Sequence, residues 1–300
     1  MIASEKFDAL VLRLESLLGR AEALLPTVPE APDFATTLAF RWRKLYGRGH
    51  LHPVHRPHTL NLSDLLGIDE QKLVLERNTR QFVQGLPANN ALLWGARGTG
   101  KSSLIKALLT TYGSVGLRLI EVDKYDLVDL PDIMDVLEGR RERFLLYCDD
   151  LSFSANEPGY KALKAILDGS VAALPENLII YATSNRRHLL PEYLSENREV
   201  QVVDDEIHQS DAVEEKISLS ERFGLWLSFY PFRQEQYLKI VAHCLNHLGT
   251  NESNRSNDAE EVREAALRWA LAHGSRSGRS AWQFARDWVG RQGIQELAGE

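Results

Sequence analysis

Eight residues, Gly95-Ala96-Arg97-Gly98-Thr99-Gly100-Lys101-Ser102, match the pattern G-x-x-x-x-G-K-[ST] at every fixed position. The apolar run Ala91-Leu92-Leu93-Trp94 comes just before them, and the helix-like run from Ser103 to Leu109 just after. Strand, loop and helix in that order are the context the pattern requires. A polyphosphate has to be wrapped by backbone N–H groups, so side chains must be absent where the chain comes close. Gly95, Gly98 and Gly100 meet that need and can take positive φ. A helix beginning near Lys101 adds free amides and the positive end of its dipole. Lys101 supplies a point charge for the β- and γ-phosphates, and Ser102 a hydroxyl for Mg²⁺. Gly95, Ala96, Arg97, Gly98, Thr99, Gly100, Lys101, Ser102 and Ser103 are the residues expected to hold the nucleotide phosphates.

The whole chain sets the bounds. Its 300 residues suit one large or two medium domains. A net charge of −7 predicts no general attraction to nucleic acid or anionic membrane, while leaving room for a local basic patch. The N-terminus lacks the basic-then-apolar layout of a signal peptide, and no apolar run reaches transmembrane length, so a cytoplasmic protein is expected. Cys148 and Cys244 both lie in apolar periodic segments and read as buried thiols rather than a disulfide.

Residues 4 to 25 carry Phe7, Leu10, Val11, Leu14, Leu17, Leu18, Ala21 and Leu25 at helical spacing. After Pro26, Pro29 and Pro32, Asp33 can cap a second helix with Phe34, Leu38, Trp42 and Leu45 on one face. Residues 1–59 therefore read as a helical N-terminal region packed on the main domain rather than a partner-docking module. His50, His52, His55 and His58 invite a zinc hypothesis, but their spacing fits no standard ligand set. With Pro53 and Pro57 they read as an extended surface or interdomain loop. Leu66, Gly67 and Ile68, before the phosphate loop, are candidates to cover a base.

After the loop, apolar strands alternate with helices. Strands are expected at 117–122, 144–148, 178–182 and 225–229, with helices at 130–137 and 160–167. This alternation predicts a parallel sheet covered on both faces, with ligands at the carboxyl ends of its strands. Residues 60–231 form that α/β domain. Beyond Pro231 the pattern is helical: Tyr237, Ile240, Val241, Cys244, Leu245 and Leu248, then Val262, Ala266, Trp269 and Ala270, then Trp282, Ala285 and Trp288. Residues 232–300 read as a helical lid, with little pattern after Gly290.

Asp149 and Asp150 end the apolar run 144–148, about fifty residues beyond the phosphate loop. Asp149 at such a strand end can hold Mg²⁺, directly or through water, and Asp150 can orient or deprotonate an attacking water. Asn185 ends the strand expected between those of the loop and of Asp149, where its amide could position water near a γ-phosphate. Arg222, in Ser220-Glu221-Arg222-Phe223-Gly224, precedes the fifth strand, and Arg279 begins a lid helix.

In that order these features resemble the AAA+ ATPase superfamily, over roughly residues 60 to 290. More narrowly the chain resembles a bacterial AAA+ family known as domain of unknown function 815. The stretches that carry this are PANNALLWGARGTGKSSL, CDDLSF, YKALKAILDG, IYATSNRRHLLPE, ERFGLWLSFYPF and the N-terminal AFRWR. The resemblance implies a five-stranded parallel sheet, a helical lid, Mg-ATP binding and ring assembly. It implies that Arg222 reaches a neighbour's γ-phosphate in trans and that Arg279 acts in cis. It names no substrate. Most AAA+ proteins have glutamate where this chain has Asp150, and the shorter side chain points to slow hydrolysis. The expectation is a cytoplasmic ATPase acting on an unknown protein client. Its rival is an ATP-dependent switch or loader that hardly hydrolyses and recruits a protein or nucleic-acid partner. A guanine-nucleotide enzyme is disfavoured because no N-K-x-D pattern is present.

Overall fold

The computed structural model describes residues 7, 10–18, 20, 31–153, 157–169, 174–187, 189, 201–203, 206–208, 219–249 and 255–299. Strands are β1 (Ala39–Leu45), β2 (Arg48–Pro53), β3 (Ala91–Gly95), β4 (Leu117–Glu121), β5 (Arg143–Cys148), β6 (Leu178–Ser184), β7 (Gln201–Val203), β8 (Glu206–His208) and β9 (Leu225–Phe229). Helices are α1 (10–18), α2 (Asp69–Val83), α3 (Lys101–Tyr112), α4 (Leu130–Leu137), α5 (Pro158–Leu167), α6 (Gln234–His247), α7 (Arg255–Ala272) and α8 (Gly278–Gly299).

The main sheet has seven strands in the order β2-β1-β4-β5-β6-β3-β9, not the expected five. The five from β4 to β9 are the expected parallel core, with β6 between β5 and β3 as anticipated. The extra two come from the N-terminal region, where a helix was expected from Asp33. Phe34, Leu38, Trp42 and Leu45 do fit a helical stripe, but Phe40 and Trp42 also alternate with Arg41 and Arg43. The strand period prevails because β1 can pair in parallel with the edge of β4, Ala39 to Leu119 and Arg41 to Glu121. Phe40 and Trp42 are then buried while Arg41 and Arg43 stay exposed. The Trp42 indole N–H donates to Asp129 at 2.9 Å, and Lys44 pairs with the same carboxylate at 2.9 Å. β2 turns back antiparallel on β1, so residues 50–53 of the histidine-rich stretch form an edge strand of the sheet rather than the expected loop, and only 54–58 are irregular.

Side chains alternate across the sheet into two cores. One face holds Leu93, Leu145, Tyr147, Tyr181 and Phe229 under α2, α3 and the lid. The other holds Phe40, Trp42, Ile120, Leu146 and Ile180 against α4 and α5. The leucines of α1 are exposed, Leu10 by 61% and Leu17 by 56%, so among the described residues this helix shows none of the expected packing on the main domain. In the lid, α8 continues to Gly299, through the tail where the sequence showed little pattern. Both cysteines are free and buried.

Candidate functional site

The phosphate loop joins β3 to α3. Gly95, Gly98 and Gly100 have φ of 127°, 72° and 101°, values an L side chain rarely adopts. A Cβ on Gly95 would lie 2.0 Å from the carbonyl oxygen of Phe229, so only glycine fits where β3 meets the end of β9. Gly100 is the left-handed N-cap of α3. The first helical bond runs from Leu104 N to Gly100 O at 2.8 Å, so the amides of Lys101, Ser102 and Ser103 precede the intrahelical ladder.

The Lys101 ammonium is buried and donates to the carbonyls of Gly95 and Ala96 at 2.8 and 2.7 Å, and to Asn185 Oδ1 at 3.3 Å. Burial pushes its pKa down to about 8, against the opposing pull of Asp149 and Asp150. Ser102 Oγ donates to Asp149 Oδ1 at 2.8 Å, and Thr183 Oγ1 donates to the same oxygen at 2.5 Å. Burial alone would raise the Asp149 pKa, but the hydroxyls of Thr183, Tyr147 and Ser102 hold it below the usual value. Tyr147 Oη is buried beside Ser102 and Asp149 without a hydrogen bond of normal geometry among the described residues, and burial raises its pKa.

Asp150 stands at φ 51°. Its amide donates to Thr183 Oγ1 at 2.9 Å, its carboxylate accepts from Asn185 Nδ2, and Arg97 Nη2 lies 3.9 Å away. Asp149, Asp150, Thr183 and Asn185 thus meet at the carboxyl ends of β5 and β6, facing the loop on β3. The lid meets the loop directly: Gly278 N donates to Gly98 O at 2.8 Å, and a Cβ on Gly98 would touch Ser277. Arg279, exposed at the start of α8, borders the same cleft.

The cleft encloses about 990 Å³ between loop, strand ends and lid. Away from the phosphate loop its lining mixes the apolar side chains of Leu66, Ile68, Phe232, Ile240, Cys244 and Trp282 with the polar ones of Asp64, His243 and His247. Leu66 and Ile68 had been singled out from the sequence, and the others had not. Helical stripes report that a side chain is buried, not what it is buried against. Thr183 was also missed, although it sits two residues before Asn185 and alternation puts both on one side of β6. Arg222 is not among the residues bordering the cleft. It forms an ion pair with Asp168, the C-cap of α5. Among the described residues no three His, Cys, Asp or Glu side chains converge as a metal-binding group, the histidines of 50–58 included. None of the described helices is long and apolar enough to cross a membrane.

A family model described as "Protein of unknown function (DUF815)" matches residues 35–292. No curated protein matches the chain. Among solved structures, a RuvB variant of Thermotoga maritima is similar with a TM-score of 0.50 and 16% identity, over 75% of this chain and 64% of that one. The match therefore spans less than two thirds of that protein. The AAA domain of FIGL-1 in complex with ADP is similar at a TM-score of 0.48 and 18% identity, over 75% of this chain and 70% of that one. A DNA replication initiation factor is similar at a TM-score of 0.47 and 18% identity, over 80% of this chain and 64% of that one.

Proposed function

The chain belongs to the DUF815 family and has the AAA+ P-loop fold, and from that premise we propose that it is a Mg-ATP-dependent ATPase that drives or switches remodelling of a partner. One observation carries the reading: Lys101, Ser102, Asp149, Asp150 and Asn185, brought from three strand ends, border one cleft with the phosphate loop.

The donor set fits the nucleotide and its metal. Free amides at a helix N-terminus and a buried ammonium suit phosphate oxygens. Ser102 Oγ and the Asp149 carboxylate, 2.8 Å apart, are hard oxygen donors of the kind Mg²⁺ takes. Mg²⁺, when bound, neutralises charge developing on the β- and γ-phosphates. Lys101 exchanges the carbonyls of Gly95 and Ala96 for phosphate oxygens. Asp150 accepts a proton from the attacking water as the bond from the γ-phosphorus to the ADP oxygen breaks. Asn185 holds Asp150 through its amide and keeps its oxygen toward Lys101. Arg279 reaches the phosphates from the lid of the same subunit, and Arg222 those of a neighbour in a ring. The site of action is the cytoplasm and the client a protein.

A second reading, an ATP-dependent switch or loader with little hydrolysis, is favoured by the hold on Asp150. This residue sits in the left-handed region, accepts from Asn185 and faces Arg97, so turning toward water requires it to leave these contacts. Steady-state phosphate release at saturating Mg-ATP separates the readings. Turnover well above background, abolished in Asp150→Asn with binding retained, supports the ATPase, and background turnover in the wild type supports the switch. Asp149→Ala should remove the Mg²⁺ dependence of binding. Unchanged Mg²⁺ dependence would overturn the metal assignment.

A further inference from the structure

Between Asp33 and Asp64 the chain has no acidic residue, yet it carries five lysines and arginines and four histidines, within a protein of net charge −7. Most of these side chains fall on the β1–β2 hairpin, and its register sorts them. Arg41 lies opposite His52, Arg43 opposite His50, and Leu45 opposite Arg48, all on one face. Trp42 and Leu51 face the other way, into the core. A protonated imidazole directly across from a guanidinium would be repelled by it. Arg41 is offset by Glu121 at 2.6 Å. Among the described residues no ion-pair partner faces Arg43, Arg48 or Arg56, which are exposed. His50 Nδ1 is buried with no hydrogen bond among the described residues. The pKa of His52 is lowered, by burial first and then by Arg43, His50, His55 and Arg41, all groups of one sign.

The placement adds to this. β1 pairs with β4 only as far as Arg41, so residues 42 to 45 run about 13 Å past the end of β4. They project from the carboxyl edge of the sheet, the edge that carries the phosphate loop. At the hairpin tip Tyr46 is 77% exposed with φ 51°. A protein partner would call for an apolar patch core, and on the hairpin itself Leu45 and Tyr46 are the large apolar side chains that are exposed. Guanidinium groups instead match phosphate oxygens through paired donors, and an exposed phenol ring gives a base a face to stack on.

We propose that the arginine- and histidine-bearing face of the β1–β2 hairpin binds single-stranded nucleic acid, with phosphates on Arg43 and Arg48 and a base on Tyr46. The surface is separate from the nucleotide cleft, and the inference does not depend on ATP hydrolysis.

The test is fluorescence anisotropy of the full chain with a labelled DNA strand of about 20 nucleotides, without nucleotide, over a salt series. Two phosphate contacts on a single strand predict a slope of about −1.4 in log affinity against log salt. Joint Arg43→Glu and Arg48→Glu substitution should weaken binding by at least about tenfold and flatten that slope. Tyr46→Ala should weaken it about fivefold or more with the slope unchanged. The changed side chains are exposed, so melting temperature should be retained. Should the glutamate variant misfold, Arg43→Gln with Arg48→Gln serves, with the same direction expected. Absence of binding at tens of micromolar protein in about 50 mM salt would overturn the proposal. So would affinity that survives the double substitution. Equal competition by duplex DNA or by polyglutamate would assign the face to a different occupant and reject the single strand.

Discussion

The Lys101 ammonium is held out of water against two carbonyls, and its pKa of about 8 lies close enough to neutrality to be seen. Only the protonated form attracts phosphate, and phosphate in turn raises the pKa. ATP affinity should therefore be flat well below pH 8 and fall as pH rises through about 8, by up to tenfold per unit until the pKa of the bound form is reached. Lys101→Ala should lower affinity by at least tenfold, about 1.4 kcal/mol, and abolish that part of the pH dependence. Isothermal titration across the pH range checks both. Unchanged affinity in the variant would reject the phosphate-loop assignment. Every residue in this prediction was legible in the sequence, because the loop is a local device in which eight neighbouring positions set the chemistry. Asn185 was legible for a related reason. The strand it ends is an apolar run with few alternatives, and such a run fixes where its last residue must be.

The elements farther from the loop were less legible. Residues 39 to 45 satisfy both a helical and a strand period over so short a stretch, and only the waiting edge of β4 decides between them. Sequence holds no local record of that edge. Trp42 shows what the choice achieves: it is 3% exposed, packs over Gly49 of β2 and donates to Asp129. Trp42→Ala should cost about 3–5 kcal/mol. Thermal melts followed by circular dichroism should show a fall in Tm of roughly 6 °C or more. A change below about 1 kcal/mol would mean that the hairpin is not integral to the sheet. The lid was legible as helices, through stripes such as Tyr237, Ile240, Val241 and Cys244, but its part in the cleft was not. That Ile240, Cys244 and Trp282 line the cleft depends on how α6 and α8 turn toward the loop, which no periodicity encodes.

For the whole molecule, the assignment of Arg222 decides whether one subunit suffices. Its guanidinium pairs with Asp168, so a role in trans requires that pair to part on assembly. If it does, Arg222→Ala subunits should bind ATP normally yet lack turnover. Mixing them with Lys101→Ala subunits should restore activity, since each supplies what the other lacks. Specific activity of the wild type should also rise with protein concentration. If instead Arg222→Ala and Asp168→Ala lower Tm alike and leave turnover intact, the pair is structural and the site belongs to one chain. A last consequence follows from the joint between lid and loop, where Gly278 N donates to Gly98 O at 2.8 Å. This amide can exchange its proton for deuterium only when the two parts separate, so its protection measures the free energy of that opening. Mg-ATP, by holding the loop in shape, should slow exchange at Gly278 while leaving the exposed turn at Gly139 unchanged, which would give a clock for lid opening that runs without any turnover.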